Sequence, residues 1–110
     1  MALAGKKLGL LVSAPPNHPN FHHGLQLAQA ALNEGLRVYL YCIDQAVTGL
    51  SDPRLQSLKP AGLNLSACAF AAERYGVPLN DLATFSGLGA LSGIITATDR
   101  FICLNAATTP

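Results

Sequence analysis

The chain has 110 residues, half of them apolar, enough for one domain that buries roughly two thirds of the surface its unfolded form exposes. Seven Lys and Arg against six Asp and Glu leave a net charge of +1, scattered along the chain, with Lys6-Lys7 the only basic pair. This pattern excludes a nucleic-acid groove or a basic membrane-binding face.

Leu8 to Ala14 is a continuous apolar run stopped by Pro15-Pro16, as expected of a first strand buried on both faces of a parallel sheet. A loop to Asn20 follows. Phe21, Leu25, Ala28 and Leu32 then recur at helical spacing, with Asn20 as the expected N-cap and Gly35 as the C′ residue. Arg37 to Cys42, rich in Val, Tyr and Leu, reads as a second strand completing a βαβ unit. Between Ile43 and Pro60 we expect one or two short helices. The clearest signal there is Ser51-Asp52-Pro53, an N-cap with Pro at the first turn.

Leu63 to Ala67 reads as a third strand, and Ala69 to Tyr75 as a helix ended by Gly76 and Pro78. A further helix carries Leu88, Leu91, Ile95 and Thr98 after a Ser86-Gly87 turn. Phe101 to Leu104 is a last strand, and Asn105 to Pro110 is expected to be a frayed tail. The alternation predicts a single α/β domain over residues 1–110, with about four mainly parallel strands and helices on both faces.

Cys42, Cys68 and Cys103 are an odd set without CxxC or CxxH spacing, which argues against a disulfide framework or a zinc site and fits a reducing compartment. The N-terminal segment places its charges after its small residues, the reverse of a secretory signal, and no apolar run approaches membrane-spanning length. We therefore expect a soluble cytoplasmic protein.

In open parallel sheets the active groups gather at the carboxyl ends of the strands. That rule selects the Pro15–Asn20 loop, Cys42 with Ile43-Asp44, and Cys68. Cys68 stands out because it falls where a strand ends and a helix begins, facing free N–H groups and partial positive charge. Such a placement favours an anionic, reactive sulfur, stabilised by the N–H groups of Ala69 and Phe70. Cys42 is either a resolving thiol or a small buried hydrophobe, and Cys103, between Ile102 and Leu104, is expected in the core.

His18, His22 and His23 do not suit a metal: adjacent helical residues point about 100° apart, and no carboxylate is near to complete a site. His22 could instead steady an anionic sulfur from across the cleft. Ser86-Gly87-Leu88-Gly89 has the small residues of a phosphate turn but lacks a third glycine and a Walker lysine, so a helix start packing on a neighbour is the simpler reading.

The stretch from Gly62-Leu63-Asn64-Leu65-Ser66-Ala67-Cys68 to Tyr75-Gly76-Val77, with Phe85-Ser86-Gly87-Leu88-Gly89-Ala90-Leu91 and Thr98-Asp99-Arg100, closely resembles the DsrE and TusD branch of the DsrE/DsrF-like sulfur-relay proteins. Pro15-Pro16 and Phe21 to Gly35 extend the likeness over nearly the whole chain, although Ile43 to Pro60 looks shorter than in that family. The resemblance implies a flavodoxin- or Rossmann-like three-layer fold and a persulfide on Cys68. It also implies a trimer, a hexamer or a complex with homologous subunits, protein sulfur donors and acceptors serving tRNA thiolation or sulfur oxidation, and neither metal nor organic cofactor. A sulfurtransferase is the leading expectation. The alternatives are a non-catalytic assembly subunit of such a complex and, less in keeping with the glycine pattern, a nucleotide-binding module.

Overall fold

A computed structural model describes residues 3–106. Five strands form one parallel sheet: β1 (Lys7–Val12), β2 (Arg37–Cys42), β3 (Asn64–Cys68), β4 (Thr84–Ser86) and β5 (Arg100–Leu104), in the spatial order β4-β3-β2-β1-β5. Four helices connect them: α1 (Pro19–Asn33), α2 (Pro53–Gln56), α3 (Ala69–Arg74) and α4 (Leu88–Ala97), with a short 3-10 helix at Asp44–Gly49.

The strand order dictates the layers. From β1 to β4 each step moves the same way across the sheet, so right-handed crossovers place α1, α2 and α3 on one face. The return from β4 to β5 reverses direction and puts α4 on the other. Packing agrees. A Cβ added to Gly24 of α1 would touch Val12 and Leu104, whereas one added to Gly9, the neighbouring pleat, would touch Phe101 and Thr98 at the end of α4.

The core lies mainly on the α1 side, where Leu10, Val12, Val38, Leu40 and Ala67 meet Phe21, Leu25 and Ala28. Cover on the other face is thinner. Of α4 only Leu91 is buried, and a cavity of about 670 Å³ bordered by Tyr39, Asn64 and Ile94 opens beside it.

Several expectations are corrected. The described residues form five strands against the four or so expected, because the three residues Thr84–Ser86 pair with β3 at the edge. The cap of α1 is His18, whose Nδ1 accepts from the Asn20 N–H at 3.0 Å, and Pro19 takes the first helical position. At the other end Gly35, at φ +82°, closes the helix with Gly35 N–H to Leu32 and Leu36 N–H to Ala31, a Schellman arrangement that a residue with a Cβ adopts only with strain. Cys103 is exposed on edge strand β5, not buried in the core. Asn105 is not frayed, since Asn20 donates to its carbonyl and Ser13 to its side chain, while 107–110 lie outside the described residues.

Candidate functional site

Strand β3 ends at Cys68, which has extended dihedrals (φ −72°, ψ 118°) and is also the N-cap of α3. Its Sγ accepts a hydrogen bond from the Ala71 N–H at 3.4 Å, the N3 donor that a capping side chain ordinarily satisfies. The expected donors are thus displaced by one position or more: Ala69 and Phe70 head the helix, and the N–H that reaches the sulfur belongs to Ala71. The residue is only 5% exposed, yet it borders a cavity of about 260 Å³ with Ile43, Asp44, Phe70, Arg74 and Leu88. The sulfur is sheltered but has an opening.

That opening has an apolar rim and a polar side. Phe70 is 74% exposed and Leu88 61%, so two large apolar side chains stand in solvent at its edge. Opposite, Tyr75 donates its hydroxyl to Asp44 Oδ1 at 2.8 Å, which raises the phenol's pKa, and the Arg74 guanidinium lies 5.6 Å from the Tyr75 ring centroid. Asp44 holds φ +53°, a left-handed conformation that Asp tolerates better than most residues, and this turns the chain sharply out of β2.

The remaining candidates are not brought to the sulfur. Cys42 is in register with Ala67, the neighbour of Cys68, so its side chain leaves the opposite face of the sheet. It is fully buried, and burial pushes its thiol up to about 12, so it is protonated at neutral pH. His22 is exposed on α1, with its Nδ1 3.3 Å from Arg54 Nη1. Among the described residues no three His, Cys, Asp or Glu side chains come together in a way that could hold a metal ion.

Two residues that the sequence did not tie to Cys68, Ser86 and Tyr41, lie beside it. Ser86 of β4 is its register partner, and the fully buried Tyr41 donates its hydroxyl to the carbonyls of Ser86 and Gly87 at 3.2 and 3.3 Å. The available signal was a tyrosine near the end of an apolar strand, because a buried phenol needs a partner.

The sequence profile of the DsrE/DsrF-like family matches residues 6–104. The chain belongs to the DsrE/DsrF-like family. A solved structure titled "Crystal structure of ychN protein from E.coli" shares this DsrE-like fold at a TM-score of 0.76, with 19% sequence identity over 90% of this chain and 98% of that one. No curated protein matches in sequence. Membership gives this DsrE-like chain a general connection with sulfur relay, and among the described residues no helix is long and apolar enough to cross a membrane.

Proposed function

We propose that the protein is a sulfur carrier in which Cys68 accepts sulfane sulfur and passes it on. The Cys68 thiolate attacks the outer sulfur of a donor persulfide. The donor's S–S bond breaks, its inner sulfur leaves as a thiolate, and Cys68 becomes a persulfide. An acceptor thiolate then attacks the outer sulfur, and Cys68 leaves as thiolate. Oxidation state is conserved at each step, so the exchange requires no external oxidant, reductant or metal.

The observation that supports this most is the position of Cys68 Sγ: against the Ala71 N–H, at the end of a strand, beside an opening large enough for an added sulfur. The Ala71 N–H serves the thiolate and the persulfide alike. Phe70 and Leu88 provide an apolar surface for donor and acceptor proteins, and the reducing cytoplasm suits three unpaired cysteines.

A second reading, an assembly subunit for a partner that performs the transfer, draws on α4, where Leu88 and Ile95 are exposed and no charged residue occurs from Leu88 to Ala97. The two readings differ in whether Cys68 carries sulfur. Incubation with a persulfide donor followed by intact mass measurement and peptide mapping is expected to show one added sulfur on Cys68 in wild type and none in Cys68→Ser. No uptake by wild type would reject the carrier reading and leave assembly.

A further inference from the structure

Cys68 and Ser86 are register partners on adjacent parallel strands. Their side chains therefore leave the same face of the sheet, with backbones about 4.8 Å apart. The Ser86 hydroxyl oxygen is buried and has no hydrogen-bond partner among the described residues. Such an orphan is uncommon, because a hydroxyl removed from water and left unpaired keeps its full desolvation cost. Tyr41 projects to the same face from β2, in register with Ser66, two residues before Cys68. Its hydroxyl holds the carbonyls of Ser86 and Gly87, fixing the turn from β4 into α4.

The Tyr41 phenol responds to both neighbours. Burial raises its pKa most, the Ser86 hydroxyl beside it lowers it, and the charge and hydrogen bonding of Cys68 raise it again. Two groups, one from β2 and one from β4, thus flank the sulfur at the end of β3. The other charged or titratable side chains bordering the opening are Asp44 and Tyr75, bonded to each other, and Arg74, which lies over the Tyr75 ring.

We infer that the Ser86 hydroxyl is a side-chain hydrogen-bond donor to the anionic sulfur on Cys68, beside the Tyr41 hydroxyl, which also holds the Ser86-Gly87 turn in place. The inference rests on the carrier reading. No proton is transferred: the Ser86 O–H stays intact and turns toward negative charge on the thiolate, or on the outer sulfur once Cys68 is a persulfide. Its lack of a partner in the resting protein leaves it free to do so.

The test is the rate of Cys68 alkylation by iodoacetamide at pH 7, followed by peptide mass, with exposed Cys103 as internal reference. Losing one charge-assisted hydrogen bond leaves the attacking anion less stabilised. Ser86→Ala is therefore expected to slow Cys68 about three- to tenfold while Cys103 is unchanged. Ser86→Thr is expected to restore the rate, and Tyr41→Phe to slow Cys68 by a smaller factor. An unchanged rate in Ser86→Ala, or equal slowing in the Thr and Ala variants, overturns the inference. Sulfur uptake by wild type is scored separately. Ser86-dependent alkylation without uptake rejects the carrier function but keeps the hydroxyl's role, whereas uptake with Ser86-independent alkylation does the reverse.

Discussion

The idleness of Cys42 can be tested through the pH dependence of stability. Its thiol titrates near 9.0 when unfolded and is pushed up to about 12 by burial in the folded protein. Between those values the unfolded chain has lost the proton and the folded chain keeps it, so stability is full below pH 9 and falls as pH rises. Integrating the linkage relation from pH 7 to pH 10 for one such group gives a loss of about 1.4 kcal/mol. Other groups ionise over the same range, Tyr41 among them with its own raised pKa, but their effect is common to wild type and Cys42→Ala. The assay is urea denaturation under reducing conditions at pH 7 and pH 10 for both proteins. Cys42→Ala is expected to be less stable at pH 7 because it loses buried volume, yet to lose about 1.4 kcal/mol less than wild type on going to pH 10. Parallel losses would refute the reasoning, since they would mean that Cys42 ionises as readily folded as unfolded and is available as a second nucleophile.

Four further variants have outcomes that can be worked from the structure. Gly49→Ala puts a Cβ 2.6 and 2.7 Å from ring carbons of Phe21, itself 1% exposed and unable to yield, so urea denaturation should show a loss of about 1–3 kcal/mol; Gly93→Ala, in α4 with nothing within 4 Å, should gain about 0.5–1 kcal/mol. Asp52 caps α2 through the Arg54 N–H at 2.9 Å and pairs with the guanidinium at 2.8 Å, and these bonds to Arg54 hold its carboxyl below the usual range. Its contribution is complete above the unfolded value of 3.8 and is lost as pH falls through the lower folded one; Asp52→Ala should cost about 1 kcal/mol at pH 7 in denaturation and progressively less as pH falls below that value. Phe70→Ala should leave stability within about 0.5 kcal/mol while slowing sulfur uptake from a protein persulfide more than from a small one, a contrast readable by stopped-time mass measurement.

The sequence made the βα alternation legible because each element carried its own punctuation: Pro15-Pro16 after β1, Gly35 after α1, Asp52-Pro53 before α2, Gly76 after α3. What it hid depended on distant parts of the chain. Thr84–Ser86 is too short for a period, and it becomes a strand only because β3 offers it hydrogen bonds. His18 caps α1 through a ring nitrogen, which the usual preference for Ser, Thr, Asp and Asn does not anticipate. Cys103 looks like a core residue among Ile102 and Leu104, but β5 is an edge strand with little above it. The position of Cys68 was legible from the adjacent strand and helix patterns, whereas its contacts with Ser86 and Tyr41 arise from register, which no local pattern encodes.

The strand order also bears on where chemistry can occur. In open α/β sheets the usual ligand crevice lies at the topological switch point, here between β1 and β5, where successive crossovers reverse direction. At the carboxyl end of that pair the chain fills the space itself. The Ser13 N–H donates to the Leu104 carbonyl at 3.1 Å, the Ser13 hydroxyl to Asn105 Oδ1 at 3.2 Å, and the Asn20 amide to the Asn105 carbonyl. These bonds tie the ends of β1 and β5 together across the crevice, which weakens the binding-module reading on grounds independent of its glycine pattern. At the other end, β3 and β4 leave Cys68 beside an opening, and β4 is only three residues long. So short an edge strand holds little register of its own, and the Tyr41 hydroxyl joins it to the centre of the sheet. The Cys68 sulfur is thus coupled to the edge by one buried phenol, which is why Tyr41→Phe, a change of one oxygen, should be felt at Cys68 and not at Cys103.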